Sequence, residues 1–200
     1  MLSLWQEVMV VEAILEKTRN FVLSAMDKND PAHDGAHVQR VVKTAMQICR
    51  AYPEANLFRT QLLAWLHDMN DDKLRSDMGM DAVAKFLRGI GTADADIAFV
   101  MKGLPYISYR KHPKLDENTP LEIRIVQDAD RIDAMGAIGI ARTFAYGGAK
   151  GRSLGDSLAH FDEKLLRLYD LLGTDEAKRI AKPRHDLLRS FYEQFHWETN

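Results

Sequence analysis

The chain has 200 residues, with 29 acidic and 27 basic side chains and a formal net charge of −2. A chain of this length can form one domain, which would bury roughly 70% of the surface that the unfolded chain exposes. The near balance of charge excludes the large positive field that holds nucleic acid polymers non-specifically. The single cysteine, Cys49, excludes an intramolecular disulfide framework and a cysteine-only metal site, and it fits a reducing, cytoplasmic setting.

The N-terminal residues predict neither a targeting signal nor a membrane span. Glu7 and Glu12 interrupt the apolar pattern of MLSLWQEVMVVEAILEK, which has no basic segment before it and no small-residue cleavage site after it. The apolar run is also too short to cross a bilayer. We therefore expect a cytoplasmic protein without a membrane partner.

Apolar residues recur at helical spacing through most of the chain, whereas alternating, strand-like runs are scarce. This pattern predicts an all-α, single-domain helical bundle. In the first half of the chain, Asp34 is the expected N-cap of the second helix, which stops near Pro53. The predicted helices of this half cover residues of about 4 to 27, 34 to 53, 57 to 68, 80 to 89 and 93 to 102.

Two segments rich in proline or glycine divide the second half of the chain. Residues 104 to 119 contain two prolines and no periodic pattern, which predicts a long surface loop. Helical spacing resumes at Leu121 and continues or restarts through MGAIGIARTFAY, before the glycine-rich segment GGAKGRSLGD. Two final helices are predicted over about 156 to 172 and 174 to 197, the second kinked or divided at Pro183.

We predict one domain over residues 1–200, with a motif-bearing core at about 20 to 150. The C-terminal helices, at about 156 to 197, are expected to pack on that core. Four aromatic residues near the C-terminus have helical spacing, which indicates core or dimer packing more than a platform for stacking bases. These residues are Phe191, Tyr192, Phe195 and Trp197.

His67 and Asp68 end the apolar run LLAWLHD, which puts an imidazole and a carboxylate at the edge of a core. Adjacent residues on a helix point about 100° apart, so this pair can share one metal ion only with ligands from other helices. His37, in the first turn of its predicted helix, is one candidate partner. The segment DADRID supplies three carboxylates that spacing does not distinguish: Asp128, Asp130 and Asp133. Imidazole and carboxylate ligands suit divalent iron, manganese, cobalt, nickel or zinc.

Three segments carry a family resemblance: HDGAHVQRVVKTA, LLAWLHDMNDDK and IVQDADRIDAMGAIGIARTF. Together, and in this order, they resemble the HD-domain superfamily of metal-dependent phosphohydrolases, over residues of about 20 to 150. The resemblance implies a helical bundle in which His37, His67, Asp68 and Asp130 bind a metal ion. It selects Asp130 by its place in the family's motif. Asp133 could cap a helix, orient a ligand or face solvent.

The acidic pair Asp71 and Asp72, just after the HD pair, matches a Glu-Asp pair in the hydrolase domains of RelA/SpoT-type enzymes. This resemblance implies a catalytic role, in which a carboxylate orients the attacking water or transfers a proton. In a continuing helix, Asp72 would lie four residues beyond Asp68 and face the same side. The alternative is that the two residues form a solvated helix end.

The resemblance also bounds the number of metal ions. Dinuclear HD enzymes carry additional histidines between the HD pair and the last aspartate, and this chain has only His112 there. This difference disfavours cyclic-dinucleotide phosphodiesterases and diiron oxygenases. We expect one divalent ion, with manganese favoured over Fe, Co, Ni, Zn or Mg. Such an ion lowers the pKa of bound water and polarises a phosphoryl oxygen.

Negative charge that develops on a phosphate requires cationic partners. Lys150 and Arg152 are favoured because the backbone N–H groups of their glycine-rich loop can approach phosphate. A plain surface loop explains these two residues equally well. His33 is assigned to the substrate or to an ordinary loop. The other cationic candidates are Lys73, Arg131 and Arg142.

These features predict a phosphohydrolase that acts on a nucleotide, a small-molecule partner. Nucleoside triphosphate pyrophosphohydrolysis is favoured, because the chain resembles the small stand-alone bacterial HD enzymes and has an acidic pair after HD. One alternative is a catalytically silent HD domain that binds a nucleotide as a sensor. A helical protein with a structural metal is disfavoured, because closed zinc sites usually contain cysteine. A homodimer is compatible with the pattern.

Overall fold

A computed structural model describes residues 3–26, 35–70, 79–107 and 115–199. All regular structure in these ranges is helical, which confirms the predicted all-α fold. Three short 3₁₀ turns, at His67–Asn70, Leu165–Arg167 and Tyr169–Leu171, accompany the α-helices. The α-helices are α1 (Leu4–Ala25), α2 (Gly35–Cys49), α3 (Leu57–Leu66), α4 (Met80–Gly89), α5 (Asp94–Ile107), α6 (Leu121–Asp133), α7 (Gly136–Ala149), α8 (Leu154–Glu163) and α9 (Asp175–Thr199).

Several predicted boundaries differ from the structure, including the end of α2, which lies at Cys49 and not near Pro53. Helix α5 continues through Pro105 to Ile107, where a loop was expected to begin at residue 104, because Leu104 and Ile107 are buried in the core. Helix α8 ends at Glu163, and 3₁₀ turns follow it. Helix α9 contains Pro183 and is not divided there, so of the two predicted outcomes only a kink remains a prediction. In α5 and α9, buried residues on both sides of the proline outweigh its local breaker signal.

Helices α2, α3 and α6 pack on one another at the centre of the bundle. Each contributes a stripe of apolar side chains with almost no exposed surface, as expected for helices that face a shared core. The residues of this central core include Val38, Val41, Ala45, Leu62, Leu63, Leu66, Ile125, Val126, Ala129 and Ile132. The stripe on α2 begins next to His37 and the stripe on α3 ends next to His67, so both imidazoles lie at one border of the core.

The C-terminal helices pack against α6 and α7. Phe161 of α8 and Phe191 of α9 stack with ring centroids 5.6 Å apart, and Phe144 of α7 contacts both rings. Phe191 therefore has a packing role, whereas Trp197 is 77% exposed. Among the described residues, no helix combines the length and the apolar character that a membrane crossing requires.

Asp128 of α6 fixes the start of α9. Its carboxylate accepts hydrogen bonds from the backbone N–H groups of Gly173 and Thr174, both at 2.9 Å, and from the Thr174 hydroxyl at 2.8 Å. Arg131, one turn further along α6, is also buried, and its guanidinium donates to the Leu171 carbonyl. Asp128 and Arg131 thus fasten the turn between the last 3₁₀ segment and α9 to the central helix.

Candidate metal centre

His67 is held by the helix that precedes it. Its Nδ1 lies 2.8 Å from the carbonyl oxygen of Ala64, and a carbonyl oxygen only accepts hydrogen bonds, so Nδ1 carries a proton. In the neutral imidazole, the lone pair is then on Nε2. The 3₁₀ turn that begins at His67 brings Asp68 to the same place, and both side chains are largely shielded from solvent.

His37 is held by a different helix. Its Nδ1 lies 2.7 Å from Oδ2 of Asp133 on α6. An imidazole lone pair and a carboxylate oxygen would repel each other at this distance, so Nδ1 donates its proton to Asp133. The Nε2 lone pair of His37 is therefore directed toward His67, whose Nε2 lies 3.3 Å away.

Two carboxylates complete this cluster. Oδ2 of Asp68 lies 3.4 Å from Nε2 of His37, and its Oδ1 lies 3.4 Å from Nε2 of His67. Oδ1 of Asp130 lies 3.4 Å from Nε2 of His37 and 3.9 Å from Nε2 of His67. The structure thus brings together the four residues for which the family resemblance implied metal binding, from α2, the turn after α3, and α6.

These distances fit one metal ion. Two ligand atoms that are each about 2.1 Å from an ion, at tetrahedral or octahedral angles, lie roughly 3.0–3.4 Å apart. The distances from Nε2 of His37 to the other three side chains, and from Asp68 to His67, are 3.3 to 3.4 Å and fit this range, whereas the 3.9 Å between Asp130 and His67 exceeds it. His37, His67 and Asp68 form a group whose ligand atoms all lie within 4.8 Å of one another and could hold a metal ion. Nitrogen and oxygen ligands suit a divalent ion of intermediate hardness.

Asp133 lies behind His37 and is braced by two arginines. Arg40, one turn after His37 on α2, donates from Nε at 2.7 Å and from Nη2 at 3.0 Å. Arg142 of α7 donates from Nη1 to Oδ2 at 2.9 Å. Burial raises the pKa of the Asp133 carboxyl, but the hydrogen bonds from His37 and Arg40 and the charge of Arg40 outweigh this effect and lower the pKa below its usual range. Asp133 is therefore ionised at neutral pH.

Two glycines let α7 begin directly after α6 and reach this network. Gly136 has a φ of +69°, a left-handed conformation that favours glycine. A Cβ at position 139 would lie 2.1 Å from the carbonyl oxygen of Ala134, so only glycine fits there. This close approach puts Arg142 beside Asp133, where its Nη1 is also 3.1 Å from Nδ1 of His37.

The predicted cationic residues divide into two groups. Arg131 is 2% exposed and its guanidinium donates to the Leu171 carbonyl, a contact that favours a structural role over the predicted contact with phosphate. Lys150 and Arg152 are exposed beyond the end of α7, and their charged groups lie 5.8 and 5.5 Å from the ring centre of Tyr146. Tyr146 is one helical turn after Arg142.

Four predicted site residues lie outside the described residues: His33, Asp71, Asp72 and Lys73. The α-helix before them ends at Leu66, so the continuing helix that would align Asp72 with Asp68 is not observed as far as Asn70.

The sequence reasoning missed Arg40 and left the role of Asp133 open. A usable signal was present in the spacing of DADRID. Asp130 and Asp133 are three residues apart, so both lie on the same face of α6. Once Asp130 is directed at His37, Asp133 must face α2 as well. Arg40, three residues after His37, is the corresponding neighbour on α2.

The model of the HD domain family matches residues 35–135, which include all four clustered residues. The uncharacterised protein YpgQ of Bacillus subtilis is 38% identical over 188 residues, which are 90% of each chain.

Two solved structures are also similar. The structure of Bacillus subtilis YpgQ in complex with ADP has a TM-score of 0.82 at 33% identity, over 94% of this chain and 96% of that one. An HD-superfamily hydrolase from Bacillus thuringiensis has a TM-score of 0.77 at 38% identity, over 95% and 98% of the two chains. This chain therefore belongs to the HD domain family.

Proposed function

We propose that this protein is a metal-dependent phosphohydrolase that cleaves a phosphate or pyrophosphate linkage of a nucleotide. The observation that carries the proposal is the convergence of two imidazole nitrogens and two carboxylates, 3.3 to 3.9 Å apart, at one end of the bundle. Both imidazoles use Nδ1 for hydrogen bonds to protein acceptors, which leaves Nε2 of each as a ligand atom.

The proposed ligands of one divalent ion are His37, His67, Asp68 and Asp130, and manganese is the favoured ion. Two carboxylates and two neutral imidazoles carry a charge of −2 between them, which would balance the charge of a divalent ion. This donor set accepts manganese and also suits iron, cobalt, nickel or zinc. The ion would supply a lowered water pKa and a polarised phosphoryl oxygen.

The chain's own residues supply the remaining functions. Arg142, held by Asp133 at the edge of the cluster, is suited to stabilise charge on a phosphoryl group. Asp71 and Asp72 follow the metal ligands closely in sequence and are proposed to orient water or transfer a proton. Lys73 and His33, also close in sequence to the ligands, are proposed substrate contacts.

Lys150 and Arg152 are proposed to bind the more distant part of the nucleotide. Lys150 directly follows the last residue of α7, eight residues after Arg142, and the charged groups of Lys150 and Arg152 lie near the ring of Tyr146, one turn after Arg142. Lys150 is therefore about 12 Å along the helix axis from Arg142. A nucleoside triphosphate is long enough to extend from the metal ligands toward these cations.

The nucleotide as substrate class rests on similarity. YpgQ, whose fold covers nearly the whole chain, has a structure in complex with ADP, which supports a nucleotide ligand here. Nucleoside triphosphate pyrophosphohydrolysis remains the favoured reaction, because the acidic pair after the HD motif resembles that of RelA/SpoT-type hydrolase domains. A cytoplasmic location is proposed with it, in keeping with the single buried cysteine.

The test is a turnover assay on protein purified without a histidine tag. The metal content is measured first, and the protein is then incubated with manganese and a panel of ribo- and deoxyribonucleoside mono-, di- and triphosphates. Ion-exchange chromatography separates phosphate from pyrophosphate products. We expect a nucleoside monophosphate and pyrophosphate from a triphosphate. Substitution of His67 or Asp130 by alanine should abolish turnover, whereas Arg189→Gln, at an exposed position, should leave it unchanged.

Two results would contradict the proposal. Manganese binding without turnover of any nucleotide would favour the nucleotide sensor. Undiminished turnover in His67→Ala and Asp130→Ala would show that the reaction takes place elsewhere on the chain.

A further inference from the structure

We propose that Asp133 is a positioning residue that holds His37 in its Nδ1-protonated tautomer, with Nε2 directed at the metal position. Arg40 and Arg142 fix the Asp133 carboxylate in turn. The inference rests on the proposed function, because it assumes that His37 binds the metal. It assigns a role to a carboxylate that does not itself reach the cluster of ligand atoms.

The Asp133 carboxylate contacts the imidazole of His37 directly. Oδ2 of Asp133 and Nδ1 of His37 are 2.7 Å apart, and the two residues are 2% and 5% exposed. In a site shielded from water, the hydrogen bond to a carboxylate determines which imidazole nitrogen carries the proton. Carboxylates that accept a hydrogen bond from a metal-binding histidine orient the ring and increase its basicity.

Two arginines hold the Asp133 carboxylate in one orientation. Arg40 contacts both oxygens of Asp133, and Arg142 contacts Oδ2, so the carboxylate plane is fixed by helices α2 and α7. A bidentate guanidinium contact restricts orientation more than a single hydrogen bond does. The carboxylate consequently cannot turn away from His37 without breaking bonds to two other helices.

Arg142 would favour the other tautomer of His37, in which the proton lies on Nε2. Nη1 of Arg142 lies 3.1 Å from Nδ1 of His37. Without the Asp133 carboxylate, this N–H group could donate to an unprotonated Nδ1, and the imidazole proton would then lie on Nε2. An Nε2–H group cannot bind a metal ion. Asp133 thus selects the productive tautomer against an alternative that the neighbouring arginine would favour.

The two histidines of the cluster differ in this respect. His67 is oriented by the Ala64 carbonyl, three residues earlier in the same segment, whereas His37 is oriented by side chains from α6 and α7. Loss of Asp133 should therefore affect metal binding only through His37. This route can be tested with a double-mutant cycle.

The experiment measures zinc affinity by competition with a chelator in the wild type, Asp133→Ala, His37→Ala and the double variant. We expect Asp133→Ala to weaken zinc binding by about 10- to 100-fold. In the His37→Ala background, the same substitution should have no further effect. Asp133→Asn keeps the shape of the side chain but replaces one acceptor oxygen by a donor. It should also weaken zinc binding, and it serves if the alanine variant does not fold.

Asp128→Ala is the matched control, because Asp128 lies on the same helix, is equally buried and also accepts several hydrogen bonds. It should lower stability and leave zinc affinity unchanged. Nitrogen-15 NMR of the zinc-loaded wild type should show His37 protonated at Nδ1, assigned by loss of the signal in His37→Ala.

Wild-type zinc affinity in both Asp133 variants would overturn the inference, as would an equal loss of affinity in the His37→Ala background. These results leave the proposed function standing if the wild type hydrolyses nucleotides. Conversely, a wild type that binds zinc but hydrolyses no nucleotide contradicts the proposed function, and the cycle still decides the role of Asp133. A wild type that binds no metal would overturn both.

Discussion

Two aspartates on α6, only two residues apart, lie in opposite chemical surroundings. The carboxylate of Asp128 accepts three hydrogen bonds from Gly173 and Thr174, at 2.8 to 2.9 Å. Oδ1 of Asp130 instead lies near Nε2 of His37 and Nε2 of His67. Imidazole nitrogens are common metal ligands in proteins. The chemical type of the nearest atoms, more than burial alone, therefore separates an anchoring carboxylate from a candidate ligand.

The pKa values of the buried aspartates on α6 show a related contrast. Burial raises the pKa of Asp128, although hydrogen bonds from Gly173 and Thr174 oppose the rise. The pKa of Asp133 is lowered, because His37 and Arg40 more than compensate for burial. Asp128 is stabilised mainly by neutral donors, whereas Asp133 is stabilised by cationic partners. Charged partners thus accumulate at the end of α6 that faces the candidate metal centre.

The largest effect is expected from Asp130→Asn, which removes the charge of a proposed ligand. Manganese affinity, measured by titration calorimetry, should fall by more than about 100-fold, beyond the 10- to 100-fold effect usual for residues that only support a ligand. Nucleotide turnover should fall with it. The matched variant Asp128→Asn should keep wild-type manganese affinity. Equal effects of the two substitutions would remove the functional distinction between these aspartates.

The next effect is on stability. Asp128→Ala leaves the donors of Gly173 and Thr174 without their carboxylate, and unsatisfied buried donors are costly. The free energy of unfolding, from denaturant titration, should fall by about 3 kcal/mol. At temperatures where the variant stays folded, manganese affinity should equal that of the wild type. A loss of manganese affinity in the folded variant would show that the contacts of Asp128 with Gly173 and Thr174 also support the metal centre.

A smaller effect should distinguish two arginines. Arg142→Lys retains the charge but loses the guanidinium contact to Asp133, so kcat/KM for the nucleotide should fall by about tenfold. Arg131→Lys should instead lower the free energy of unfolding by about 1 kcal/mol, because it weakens the contact to the Leu171 carbonyl. The kcat/KM of Arg131→Lys should be unchanged. A lower kcat/KM in Arg131→Lys, with no change in its free energy of unfolding, would contradict a structural role for Arg131.

The smallest expected effect is a pH dependence of the free energy of unfolding that arises from His185 on α9. Burial lowers the pKa of His185, which stacks on Tyr169 with ring centroids 4.9 Å apart. The unfolded chain therefore binds a proton at His185 more readily than the folded chain does. Stability should fall as the pH drops through the unfolded-state value of about 6.5 and toward the lower folded value.

The comparison is made with His185→Gln, which cannot take up this proton. The slope of unfolding free energy against pH, between about pH 7.5 and 5, should be shallower in this variant than in the wild type. An unchanged slope would show that other groups account for the acid sensitivity.

Helical periodicity predicted the fold class and most helices, because amphipathic stripes on α2, α3 and α6 are local features that reflect the shared core. It failed where the local pattern and the tertiary environment disagree. Pro105 and Pro183 lie within helices whose buried residues compensate for a lost hydrogen bond. The family resemblance, HD domain, is confirmed by the match to residues 35–135.

The site was predictable in part. The family motif indicated His37, His67, Asp68 and Asp130, and the structure brings these side chains together. Arg40 contacts Asp133, which is 93 positions away, and spacing in a single sequence does not contain that information. Arg131 and Arg142 both lie near the aspartates in sequence, and only the direction of each side chain separates their roles.

The three aspartates of α6 point in directions that depend on the number of residues between them, which restricts where this chain can gain or lose residues. Asp128, Asp130 and Asp133 span about 7.5 Å of one helix, and each serves a different partner. One residue inserted between Asp128 and Asp130 would rotate both later carboxylates by about 100° and shift them by about 1.5 Å. The contacts of Asp128 with Gly173 and Thr174 could survive, whereas Asp130, Asp133 and the Arg131 contact with Leu171 would be displaced together. Related chains should therefore tolerate insertions in the segments between helices and exclude them from α6.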